Sequence, residues 1–229
     1  MSPKFFHRKT VNNGSIRYKV ADDITTADQI LSSLNRPLSI VSIDPGYKNF
    51  CLRIEERPRY TDHVFPIRQV FCDVINIGEE VERYFNLTTW LNDNRSLFNN
   101  IDIILIEKQM NDNTSVMRIA QHAMSWFYSY YFDRDIKAQI IEFCPKTKLR
   151  SLGCPSNLNK RGYKEWITKW AEEEFRVRGD GESLNALLKT KKTDDISDTL
   201  AQIESFCILE NYPTSSKIYS YEHNQNAHL

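Results

Sequence analysis

Glycine is scarce, with seven residues in a chain of 229. Asp44-Pro45-Gly46 has the Asp-x-Gly start of a sugar-kinase-like or actin-like ATPase. So few glycines leave little room for the second glycine-rich phosphate loop that such an ATPase needs. No apolar run of about 18 residues occurs, so no transmembrane helix is expected. Nor is there the apolar core of a signal peptide near the start. The five cysteines, at positions 51, 72, 144, 154 and 207, are odd in number and scattered. They form no Cys-x-x-Cys pair and no Cys/His cluster, which excludes a zinc site of the usual spacing. They read as buried or idle thiols in a reducing compartment, and none has a nucleophile's context. Charge of one sign is also missing: 30 Lys plus Arg balance 30 Asp plus Glu. Net charge therefore names no partner, and the distribution of charge has to.

Hydrophobic residues at 41% and charged ones at 26% are ordinary for a globular chain. The length suits one domain with appendages. We place the domain at residues 38–211, after a leader at 1–37 and before a tail at 212–229. Between Met1 and Ala21 the leader holds Lys4, Arg8, Lys9, Arg17 and Lys19 and no acid. A nucleic-acid-binding arm, a mitochondrial presequence and a leader with chance charge all fit that bias. Asn12-Asn13-Gly14 interrupts the amphipathic helix that a presequence needs. A short helix is expected within 23–35.

Leu38–Asp44 reads as a buried strand that ends on a carboxylate, with Ile40, Val41 and Ile43 as its β-branched run. Pro45-Gly46 then breaks the strand and permits a tight turn. Further strands are expected at about 49–55 and 69–77, followed by a helix at about 79–91. Ile101–Glu107 is a second short apolar run that ends on a carboxylate, as a buried parallel strand does. Val116, Ile119, Ala120, Ala123, Met124, Phe127 and Tyr131 recur at helical spacing within 114–132. The aromatic cluster Trp126–Phe132 exceeds one helical face, so its surplus suits either core packing or a dimer interface. A strand at 138–143 follows. From Pro145 to Lys164 stand Lys146, Lys148, Arg150, Lys160, Arg161 and Lys164 with no acid. We expect a loop there that grips phosphates, because mere solubility would mix the signs. A helix at about 164–175, a flexible stretch at 178–193 and a closing helix at about 194–210 complete the reading. Thr193 or Asp194 is expected as the N-cap of that last helix.

Acids thus stand in similar settings at separated points. Asp44 and Glu107 end buried strands, while Asp195 and Asp198 share one face at the start of a helix. Gathering like charges is costly unless a cation compensates them. Hard divalent cations take oxygen ligands, and a pair of them can clamp the attacking and leaving oxygens of a phosphodiester. The helix dipole alone accounts for acids at positions 194 and 195, but less well for Asp198.

Three segments carry a resemblance: Ser42-Ile43-Asp44-Pro45-Gly46-Tyr47-Lys48-Asn49, then Leu105-Ile106-Glu107-Lys108-Gln109 with Asn113, Met117 and Arg118, then Lys192–Leu200. In order and spacing they resemble the active-site motifs of RuvC-like Holliday-junction resolvases. The branch in poxviruses and other large DNA viruses is nearest in character, and the fungal mitochondrial cruciform-cutting resolvases come next. The resemblance spans about residues 38–210 and leaves the leader out. It implies an α/β, ribonuclease-H-like fold: a five-stranded mixed sheet, its first three strands antiparallel, with helices on both faces.

It also implies that Asp44, Glu107, Asp195 and Asp198 hold two Mg²⁺ (or Mn²⁺) ions, and that no small-molecule cofactor is used. A lysine ahead of the helix after the fifth strand would assist, with Lys164 the best fit and Lys160 and Lys148 as alternatives. Lys146, Lys148, Arg150, Lys160 and Arg161 become candidate DNA contacts. The implied partner is a four-way DNA junction, nicked symmetrically by a homodimer to leave 5′-phosphate and 3′-hydroxyl ends. The implied setting is intracellular, at a viral replication site or in a mitochondrion, with no membrane. A junction-binding module without catalysis, on the same fold, is the competing reading.

Overall fold

Leu38–Asp44 forms the central strand of the molecule, β1, and its six residues before Asp44 are all buried. The computed structural model describes residues 36–59, 67–78, 81–109, 113–134, 138–189 and 193–215. On one side β1 pairs antiparallel with β2 (Phe50–Arg57), which pairs antiparallel with β3 (Arg68–Ile75). On the other, β4 (Ile103–Glu107) runs parallel to β1, and β5 (Gln139–Phe143) parallel to β4. The strand order is β3-β2-β1-β4-β5. This is the mixed five-stranded sheet that the motifs imply, with its first three strands antiparallel.

The turn after β1 depends on Gly46, because a Cβ there would lie 2.7 Å from the Asn49 carbonyl oxygen. Alternation along β1 then assigns its two faces. Val41 and Ile43 pack under α1 (Glu82–Asp93) and α2 (Thr114–Phe132), against Leu87, Leu91, Ile119, Ala123 and Phe127. Leu38 and Ile40 face the opposite way, against Ile203, Phe206 and Cys207 of the closing helix. Part of the aromatic cluster of α2 packs in the core and part is exposed. Trp126, Phe127 and Tyr130 gather edge-on around Phe98, whereas Phe132 is 69% exposed and Tyr128 is 40% exposed.

The basic stretch at 145–164 is not the expected loop. Pro145 opens a short helix, α3 (Pro145–Ser151), where its fixed φ and missing N–H cost nothing. Gly153, at φ 79°, follows its end. Asn159 then caps α4 (Lys160–Val177), its side chain accepting a hydrogen bond from Gly162 N at 2.9 Å. The stretch expected to be flexible is likewise helical, as α5 (Gly181–Lys189). Asp180 accepts from Ser183 N at 2.9 Å, and Leu187 is buried against Ala171 and Phe175.

The closing helix, α6 (Thr193–Leu209), begins one residue earlier than expected, so Thr193 and Asp194 lie inside it rather than capping it. It runs between the sheet and α3, α4 and α5. From Ile196 through Cys207 every residue is buried except Asp198. The expected helix within 23–35 and most of the leader fall outside the described residues, as does the tail beyond Ser215.

Candidate active site

Three acids and one lysine meet where β1, β4, α3 and α6 converge. Asp44 ends β1 and Glu107 ends β4, and parallel pairing of these strands brings both carboxylates to the same rim of the sheet. Asp198 reaches that rim from the first turns of α6. Between them stands Lys148 of α3, whose side chain is only 3% exposed. Its Nζ donates to Glu107 Oε2 at 2.6 Å and to Asp198 Oδ1 at 2.5 Å.

The electrostatics of Asp44 show how crowded the rim is. Burial pushes its pKa well above the usual carboxylate range, and the negative charges of Glu107 and Asp198 push it further. Lys148 pulls the other way, and Asp195 adds a smaller push upward. Lys148 mirrors this. Burial works against its charge, but Asp198, Glu107 and Asp44 outweigh burial and hold its pKa well above the ordinary lysine value. The acids around Lys148 thus hold its ammonium charged despite burial.

A cleft of about 290 Å³ opens over this centre, lined by Glu107, Lys148, Lys160, Tyr163, Lys164 and Asp198 among others. Lys164, the lysine favoured from sequence, lines the cleft from α4 but is half exposed and pairs with Asp194. The hydrogen bond that Lys164 donates to that carboxylate raises the lysine's pKa. Lys148 instead touches two of the four proposed ligands. Lys146 and Arg150 are exposed on α3, and Lys160 and Arg161 are exposed at the start of α4. Arg161 is held by Glu165 at 2.8 Å.

The donor set is entirely carboxylate oxygen, which suits a hard divalent cation and not zinc. Convergence of three like charges on Asp44 is a further reason to expect a cation there. As arranged, however, no three acidic, histidine or cysteine residues among those described stand close enough together to hold one ion. The place between Glu107 and Asp198 is taken by the ammonium of Lys148. The chemistry of the residues fits a metal, and their present spacing is that of a salt bridge.

Two features stand nearby, of which only Asn113 had a signal in the sequence. Arg83 of α1 donates to Ser115 Oγ at 2.8 Å and lies over the Tyr47 ring at 5.5 Å, beside the Asp44 turn. Asn113, part of the motif after Glu107, accepts from Val116 N as the N-cap of α2.

No protein-family model matches the sequence. The chain is 24% identical over 132 residues to Uncharacterized protein 97L of Invertebrate iridescent virus 3. That match covers 58% of this chain and 56% of the viral protein, little more than half its length. Among solved structures, the yeast mitochondrial Holliday junction resolvase Ydc2 superposes with a TM-score of 0.55 at 15% identity. It covers 90% of this chain and 93% of Ydc2, so the two share a fold. Thermus thermophilus RuvC matches with a TM-score of 0.48 at 14% identity, over 76% of this chain and 96% of that one.

Proposed function

We propose that the chain is a metal-dependent endonuclease that resolves four-way DNA junctions by paired, symmetric nicks. The observation that carries this reading is the convergence of Asp44, Glu107 and Asp198 at one rim, under a cleft edged by lysines. The fold shared with Ydc2 supports it. Asp44, Glu107, Asp195 and Asp198 would hold two Mg²⁺ or Mn²⁺ ions. When bound, such ions would supply an activated water and neutralise charge on the scissile phosphate.

The chain's own residues then have separable tasks. Asp44 is fixed by the central strand and aimed by the Pro45-Gly46 turn, which places its carboxylate on a rigid part of the sheet. Lys148 and Lys164 face the cleft from two helices and can donate to non-bridging phosphate oxygens as charge builds there. Lys146, Arg150, Lys160 and Arg161 flank it on exposed surface and grip the neighbouring backbone through charge, without reading bases. In-line attack by water leaves a 5′-phosphate and a 3′-hydroxyl. A homodimer would present two such centres to opposed strands of the junction. Viral DNA processing is the setting we favour, in keeping with the iridescent-virus relative, and a mitochondrion is the alternative.

The test is a synthetic mobile four-way junction beside a linear duplex. Cleavage that needs Mg²⁺ or Mn²⁺, is paired across the junction and spares the duplex is expected. Asp44→Asn or Glu107→Gln should lower the rate by roughly a hundredfold or more. Intact junctions across both metal titrations would sink the reading. The salt bridges of Lys148 favour one second reading, a binding module whose acids are permanently neutralised. Tight junction binding that persists when all four acids are replaced, with no cleavage by the parent, would support that module instead.

A further inference from the structure

We propose that Lys148 is the site's built-in counter-ion, occupying a metal position until it is displaced, so that metal binding is an exchange rather than a simple filling. The inference rests on the nuclease reading and concerns how that same centre is loaded. Two carboxylate oxygens on separate elements, Glu107 Oε2 and Asp198 Oδ1, both lie within 2.6 Å of one nitrogen. That is the bridging task a cation performs. The side chain is 3% exposed and comes from α3, whose buried neighbours Thr147 and Lys148 face inward while Lys146 and Arg150 face solvent. Its position is therefore built by the helix and is not a chance surface contact.

A divalent cation and an ammonium cannot both sit between these oxygens. Metal entry requires Nζ to withdraw, and withdrawal strips a buried ammonium of two charge-assisted hydrogen bonds. A phosphate arriving in the cleft offers Nζ new acceptors, because Lys148 lines the same cleft as Glu107 and Asp198. The lysine thus weakens metal binding in the free protein and couples it to the arrival of the DNA backbone. In this role Lys148 positions the ligands and sets their affinity, separately from any contact with the phosphate.

Lys148→Met keeps most of the side chain's length and removes its charge. Mn²⁺ binding to DNA-free protein, followed by the electron paramagnetic resonance of free Mn²⁺, should tighten on the order of tenfold or more in the variant. Equal or weaker binding would overturn the proposal. A second measurement uses the unaltered chain and covers a variant that fails to fold. Acetic anhydride labelling with peptide mass spectrometry should modify Lys148 faster in Ca²⁺ than in chelator, since the displaced amine loses its partners. Labelling that is unchanged or slower in Ca²⁺ would overturn it too. If the parent cleaves junctions but the Mn²⁺ affinities agree, only this role of Lys148 is lost. If neither protein takes up Mn²⁺ and junctions stay intact, the nuclease reading falls with it.

Discussion

At the scale of single residues, the site depends on one small side chain that does no chemistry. Gly46 lets the chain double back so soon after Asp44 that a methyl group there would press on the Asn49 carbonyl. Gly46→Ala is expected to shift this turn and cost roughly 1–3 kcal/mol by overpacking. Urea denaturation would measure the loss, and junction cleavage should fall more steeply than stability does because Asp44 is re-aimed. The sequence made this turn legible, since Pro-Gly after a β-branched run has few other uses. The roles of the lysines were not legible in the same way. Lys148 and Lys164 both stand in a basic stretch, and only the packing of α3 decides that Lys148 points inward. Charge counts along a chain carry no information about which side of a short helix is covered.

At the scale of elements, β2 and α6 hold the least expected feature, a buried ionic network. Arg53, Glu55 and Arg57 alternate along β2 as an exposed strand face would, yet each is fully buried. Glu55 accepts from Arg53 Nε at 2.6 Å, Arg57 Nη2 at 2.7 Å and Arg178 Nη1 at 2.9 Å. Arg57 and Arg178 also bond Glu204 of α6, and Glu204 Oε1 accepts from Ser215 N at 2.8 Å. Alternation puts these residues on one face once β2 runs on to Arg57, two residues past the expected strand. It did not show that helices cover that face, because α5 was read as flexible and α4 was read short.

Burial works against the charge of Glu55, but Arg178, Arg53 and Arg57 more than offset it and hold its pKa far below the ordinary range. The native state thus binds a proton at Glu55 less readily than the unfolded chain, whose value is about 4.3. Its stabilisation is present above about pH 4.3 and is lost as pH falls through the lower native value. Glu55→Gln should cost roughly 3–5 kcal/mol at neutral pH, because the guanidinium groups remain buried without their acid. Denaturant titrations at pH 7 and near pH 3 should show the gap between parent and variant narrowing in acid. A constant gap would contradict this account.

At the scale of the whole molecule, the mixed five-stranded sheet with helices on both faces is what the resemblance of the motifs implied. The order of strands and helices read from the residues is compatible with it. Two apolar runs that end on acids and a closing helix that carries two more mark one rim of the sheet as the candidate centre. The exposed outer edge of α2 was also foreshadowed, by an aromatic cluster too wide for one face. We expect Tyr128, 40% exposed, and Phe132, 69% exposed, to lie in the proposed contact between two copies. Replacing both by Glu should weaken self-association on the order of tenfold or more, with the fold retained. Sedimentation velocity would measure it. The same variant should still nick, but with paired incision lost in favour of single cuts. An unchanged sedimentation coefficient would rule this face out as a contact between copies.

The enclosure of α6 bears on how this chain can diverge. A helix with a free side can accept one substitution at a time, but α6 meets a specific partner at nearly every turn. Cys51 touches Thr199, Ser151 touches Ser205, and Arg57 binds Glu204. A change at one member leaves the other stranded in the interior, so drift here has to proceed by matched pairs. Distant homologues should therefore covary across these pairs while the carboxylates at the head of the helix stay fixed. Paired drift of this kind would let two chains keep one architecture with little sequence in common, as this chain and Ydc2 do at 15% identity.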